Sequence, residues 1–146
     1  MMYKKILLVD DDIDDRLIFA ELLAASDPDP QVAFAENGLE MVAQLENTSG
    51  DNLPDLIILD QNMPKMTGKE SLIFLKESER YRHIPTIIYS THQVKDFYRE
   101  CLTLGAQDVV AKPDTMHAYR EMIANFLLHS PHPHPDDVQP LRSNNP

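Results

Sequence analysis

Short, unbroken apolar runs alternate along this chain with longer amphipathic stretches. The short runs are Ile6–Val9, Val32–Ala35, Leu56–Leu59, Thr86–Tyr89 and Val109–Ala111. Runs that are apolar at consecutive positions suit strands covered on both faces, as in a parallel sheet. Between them, apolar residues recur at helical spacing: Leu17, Ile18, Leu22 and Leu23; Leu39, Val42, Ala43 and Leu45; Leu72, Ile73 and Leu75; Phe97, Cys101, Leu102 and Leu104; and Tyr119, Met122, Ile123, Phe126 and Leu127. Asn37-Gly38, Pro54-Asp55, Gly68, Gly105 and Lys112-Pro113 punctuate the boundaries. The pattern predicts five βα units. Right-handed crossovers would place helices on both faces of a five-stranded parallel sheet, a doubly wound α/β fold.

A length of 146 residues suits one domain with a sizeable core. Residues 1–129 carry the βα pattern. Five of the 11 prolines fall in the last 16 residues, so 130–146 is expected to be an extended or disordered tail. Its histidines, His132 and His134 with His129 just before it, are read as solvated rather than metal-ligating, since a Pro-stiffened tail offers no preorganised geometry. A net charge of −11 argues against phosphate backbones and anionic lipid as partners. A single cysteine, Cys101, excludes an internal disulfide and a Cys-based zinc site, and the composition suits a reducing cytoplasm. No stretch approaches the roughly 20 apolar residues of a spanning helix.

In such a sheet the site is expected at the carboxyl ends of the strands. Strand one runs into Asp10-Asp11-Asp12, strand three into Asp60, strand four into Ser90-Thr91, and strand five into Lys112-Pro113. Acids, a hydroxyl and a lysine therefore converge on one edge. Carboxylates about 5 Å apart at an effective dielectric of about 20 repel by roughly 3 kcal/mol per pair. A hard divalent cation relieves that repulsion, and carboxylate, carbonyl and water oxygens are what Mg²⁺ accepts. Asp10, Asp11 and Asp60 are the candidate metal group. Asp12, Asp14 and Asp15 are read as acids that cap the following helix and meet its dipole.

On these residues the chain resembles the receiver domain of two-component response regulators, the chemotaxis-regulator-like family. The resemblance covers about 1–129. It rests on Leu7 through Asp12, Leu59 through Pro64 with Met66 and Gly68, Pro85 through Ser90, and Gly105-Ala106 ahead of Val110 through Pro113. It implies a flavodoxin-like sheet of order 2-1-3-4-5. It further implies that Asp60 accepts a phosphoryl group from a sensor histidine kinase or phosphotransfer protein. Asp10, Asp11, Asp60 and the backbone carbonyl of Asn62 would hold Mg²⁺. Ser90 would be the switch hydroxyl, and Lys112 would pair with phosphoryl oxygens across a cis Lys112–Pro113 peptide.

Some positions depart from the family pattern. Val109 stands where an aromatic switch residue is frequent, and Thr91 is larger than the usual residue after the switch hydroxyl. Asn62 and His92 occupy the two positions that tune attack by water. The resemblance points to an output surface on helix four, strand five and helix five, including Val94, Phe97, Tyr98, Val109 and Tyr119. Phe97 is assigned to the core; Met63 and Met66 are read as packing. Output would pass through a partner or by dimerisation. The competing reading is an aspartyl-phosphate-type phosphatase of related fold, but such enzymes often carry an acid where this chain has Asn62. A nucleotide binder would need a Gly-rich phosphate loop after strand one, where the chain has Asp10–Asp15.

Overall fold

Strands and helices alternate as the apolar runs require: β1 (Lys5–Val9), α1 (Ile13–Ser26), β2 (Gln31–Ala35), α2 (Gly38–Glu46), β3 (Leu56–Asp60), α3 (Gly68–Glu77), β4 (Thr86–Ser90), α4 (Lys95–Leu104), β5 (Asp108–Ala111) and α5 (Met116–Leu128). A short 3-10 turn, Gly50–Asn52, precedes β3. The computed structural model describes residues 3–91 and 95–128. The tail, His92 and Val94 lie outside the described residues, as do the side chains of 126–128.

The strands form one parallel sheet of order β2-β1-β3-β4-β5. Alternation along each strand sends its side chains into two separate cores. Leu7, Val9, Ile57, Leu59 and Ile88 meet Met41, Leu45, Leu72, Leu75 and Cys101 from α2, α3 and α4. Ile6, Leu8, Ile58, Ile87 and Tyr89 meet Phe19 and Leu23 of α1 and Tyr119, Met122 and Ile123 of α5. β3 and β4 are buried along their whole length. β2 is not: it alternates between exposed and half-buried before Ala35, because it is an edge strand with a neighbour on one side only. The Gln44 side chain donates to the Phe34 carbonyl at 2.6 Å and so occupies one acceptor of that strand.

Two helical faces differ from expectation. Leu17 is 53% exposed and Leu39 is 55% exposed. Phe19 and Leu23 form the inward stripe of α1, and Leu17, two positions from Phe19, is rotated about 200° away from it. On α2 the inward pair is Met41 and Leu45, again one turn apart. Val109 and Tyr119, expected on an output surface, are buried at 4% and 3% exposure, so neither presents a side chain to a partner in this state. Phe97 is partly buried against the α2–α3–α4 core, and Tyr98 is exposed. Met63 is buried in that core as well.

Candidate functional site

The carboxyl edge gathers its charge on one side of the sheet. Within β3 and β4, Asp60 and Tyr89 pair in register and fall on the α1–α5 side. The same alternation carries Asp10 beyond Leu8 and Lys112 beyond Val110 to that side. Ser90, one residue past Tyr89, points to the other side; it is 3% exposed, and its carbonyl accepts from the Lys112 amide at 3.0 Å.

Lys112 is the centre of this layer. Its Nζ lies 3.0 Å from Asp60 Oδ2, 3.3 Å from Asp10 Oδ2 and 2.9 Å from Asp15 Oδ2. Nζ also sits 5.6 Å from the centroid of the Tyr89 ring. The Lys112–Pro113 peptide, expected to be cis, is trans, and no described residue has a cis bond. Trans is favoured for an X–Pro bond by about 0.5–1 kcal/mol, and Lys112 reaches all three carboxylates with it.

Asp10 and Asp60 are almost fully buried, whereas Asp11 is exposed. Burial raises Asp10 to about 7; the Asp12 amide (3.0 Å to Oδ1) works against this, Asp60 adds to it and Lys112 subtracts. Asp60 is raised too, first by burial, against the opposing pull of Lys112 and of the Asn62 amide at 3.2 Å. Burial alone would depress Lys112, but the bond to Asp15 and the charges of Asp10 and Asp60 hold its ammonium above the ordinary range. Tyr89, whose hydroxyl lies 3.5 Å from Asp10 Oδ2, is pushed well up by burial and by that neighbour.

Local sequence fixes the position of Asp60. Thr67 and Glu70 form a reciprocal capping box that starts α3. The first residue of that helix, Gly68, approaches Asp60 closely: a Cβ there would lie 2.6 Å from the Asp60 carbonyl oxygen. The Gln61 amide donates to the Tyr89 carbonyl at 2.9 Å, and the Gln61 side chain accepts from the Lys69 amide at 2.8 Å. The Asn62 side chain crosses to Thr91 at 3.1 Å and ties the loops that follow β3 and β4. Lys65 in the same loop is left-handed, with φ of 70°.

Asp10, Asp11 and Asp60 each offer a carboxylate oxygen, and these atoms lie within 4.8 Å of one another. The donor set is all oxygen, two of its members are buried, and it carries more negative charge than Lys112 neutralises. It therefore fits a hard divalent cation.

Sequence reasoning missed four participants. Asp15 caps nothing itself; the Asp12 side chain accepts from the amides of Asp14 and Asp15. The Asp15 carboxylate turns instead to Lys112 and accepts from the Tyr119 hydroxyl at 3.2 Å. Arg16 donates to the Asp10 carbonyl at 2.6 Å, and Tyr89 backs the same residue. A first-turn acid is already explained by the helix dipole, so Asp15 left no residual signal.

A model of the response regulator receiver domain matches residues 6–124. The chain belongs to the response regulator receiver family. Receiver domains are signalling modules that take phosphate from histidine kinases or phosphotransfer proteins. The two-component response regulator ORR5 of Oryza sativa is 36% identical over 111 residues, covering 74% of this chain and 77% of that protein. A protein-glutamate methylesterase/protein-glutamine glutaminase of Rhodopseudomonas palustris is 39% identical over 127 residues, covering 84% of this receiver and 33% of that protein. The two-component response regulator ARR7 of Arabidopsis thaliana is 34% identical, and 55% of it is covered. This receiver thus spans about a third to about half the length of those last two relatives. Among solved structures, the phosphorylated cyanobacterial phytochrome response regulator RcpA superposes with a TM-score of 0.75 at 29% identity, covering 84% of this chain and 90% of that one. The Mn²⁺-bound form of the response regulator Rcp1 gives 0.74 at 28%, with the same coverage. No described helix is long and apolar enough to cross a membrane.

Proposed function

We propose that this receiver accepts a phosphoryl group on Asp60 from a partner histidine kinase or phosphotransfer protein. The observation that carries the reading is Lys112 Nζ at 3.0 Å from Asp60 Oδ2, beside an acidic group able to hold a cation. An Asp60 carboxylate oxygen attacks phosphorus. The bond from phosphorus to the donor's nitrogen or oxygen breaks, and its electron pair leaves with the donor, which takes a proton from solvent. Lys112 lies where its ammonium can pair with the transferred oxygens. Asp10, Asp11, Asp60 and the Asn62 carbonyl would hold Mg²⁺, which when bound offsets the charge that accumulates on the phosphoryl oxygens. Attack of water on phosphorus breaks the bond to the Asp60 oxygen, releases inorganic phosphate and restores the carboxylate. Ser90, buried at the end of β4, is the candidate switch hydroxyl, and the face of α4, β5 and α5 is the candidate output surface. The phosphatase alternative lacks its second acid, since the Asn62 side chain at that position is bonded to Thr91.

Incubation with acetyl phosphate and Mg²⁺, followed by intact mass, tests the reading. The expected result is a gain of one phosphoryl group that disappears with EDTA and in Asp60→Asn. Wild-type protein that gains no mass from acetyl phosphate or from a panel of phosphorylated kinases would refute it.

A further inference from the structure

The Lys112 ammonium donates to Asp60 Oδ2 and lies 2.9 Å from Asp15 Oδ2 and 3.3 Å from Asp10 Oδ2, so three carboxylates surround it. A phosphoryl group on Asp60 adds charge and strong acceptor oxygens beside Nζ. Esterification removes the carboxylate charge that Lys112 now pairs with at Asp60, and an Nζ that follows the charge to the phosphoryl oxygens draws away from the carboxylates that stay behind, Asp10 and Asp15. Asp10 is fully buried and depends on its neighbours for compensation. The Asp15 side chain is 23% exposed, so water can solvate it when it is released. Asp15 is therefore the partner that Lys112 gives up.

Asp15 does not end the chain of contacts. Its Oδ2 faces Lys112 and its Oδ1 accepts from Tyr119, which is itself 3% exposed and belongs to α5. We propose that Asp15 and Tyr119 form a latch that reports the state of Asp60 to α5. Before phosphorylation, Lys112 holds Asp15 in place and Asp15 holds the Tyr119 hydroxyl. After phosphorylation, Lys112 moves to the phosphoryl oxygens, the Asp15 carboxylate turns outward, and the buried Tyr119 hydroxyl loses its acceptor. A buried hydroxyl without a partner is costly, so the first turns of α5 readjust. This route bypasses β5, where Val109 has no polar group to carry a signal. It rests on the proposed phosphorylation of Asp60.

The test uses the full chain, acetyl phosphate with Mg²⁺, intact mass for phosphorylation, and amide hydrogen exchange over α5 before and after. Wild type is expected to gain one phosphoryl group and to change its α5 exchange. Tyr119→Phe is expected to be phosphorylated to the same extent, while the phosphorylation-dependent change over α5 shrinks by about threefold or more. Asp15→Asn should lose the same response, and the double variant should lose no more than either single one, because the two residues act in series. A purely structural role would alter exchange in the resting protein and leave the response to phosphorylation intact. Phosphorylated wild type with no α5 response, a full response in either variant, or additive losses would each overturn the latch alone. Wild type that gains no mass would remove the phosphoacceptor reading, and the latch with it.

Discussion

Opposite ends of the sheet each gather polar groups around one cation, and they balance their charge differently. Ahead of β4, Arg80 donates to the carbonyls of Leu45 and Thr48 and to the Tyr81 hydroxyl, which in turn donates to Glu46 at 2.7 Å. One guanidinium is linked to one carboxylate through the Tyr81 hydroxyl, and its donors go to neutral oxygens. At the carboxyl edge Lys112 faces three carboxylates, with Asp11 close by. The first arrangement ties α2 to the segment before β4, and its charged groups, Glu46 and Arg80, remain open to water. The second sets more carboxylates around its cation than that cation can neutralise. Excess charge held by a rigid frame, rather than the mere presence of charge, separates the candidate site from a structural tie.

Removing the cation breaks the comparison most sharply. Lys112→Ala leaves buried Asp10 and Asp60 without compensation and is expected to destabilise the metal-free protein by about 3–5 kcal/mol, read from urea unfolding in EDTA. Asp10→Asn should do the reverse, and its effect should depend on pH. Burial holds Asp10 at about 7 in the folded protein against the ordinary 3.8, so the native state binds the extra proton between those limits. Stability from this group is thus present below about pH 4 and is lost as pH rises through about 7. The gain from Asp10→Asn should be absent in acid and reach about 2–4 kcal/mol in mild alkali. Adding Mg²⁺ to wild type at a hundredfold excess over its Kd should raise stability by about 2.7 kcal/mol, and less in acid, where protons compete for the same oxygens. At the balanced end, Tyr81→Phe should cost about 1 kcal/mol by leaving Glu46 and Arg80 to solvent, and phosphorylation should be unchanged. If Tyr81→Phe altered phosphorylation as strongly as Lys112→Ala, the two ends would not be independent.

The fold was legible because each strand is built on a short apolar run and most breaks carry Gly, Pro or Asn; the breaks after β1 and β4 are marked instead by Asp10–Asp12 and Thr91. The convergence of Asp10, Asp60 and Lys112 was legible for the same reason, since a residue that ends a parallel strand lies on a known edge. Leu17 and Leu39 were misplaced because helical spacing gives a stripe without saying which of two adjacent stripes faces inward; Phe19 and Met41 decided that by packing. Asp15 and Tyr119 are far apart in the chain and meet only because α1 and α5 lie side by side on one face of the sheet. No local pattern encodes that meeting. The isomer of the Lys112–Pro113 bond was likewise undetermined by the residues that flank it.

The close approach of Gly68 to the Asp60 carbonyl has a mechanical consequence. With no room for even a methyl group and a capped helix seated on the other side, the main chain at Asp60 could not recoil under the proposed phosphorylation of its side chain. Displacement must be taken up by lateral neighbours that have somewhere to go, so chemistry at an unyielding point becomes movement elsewhere.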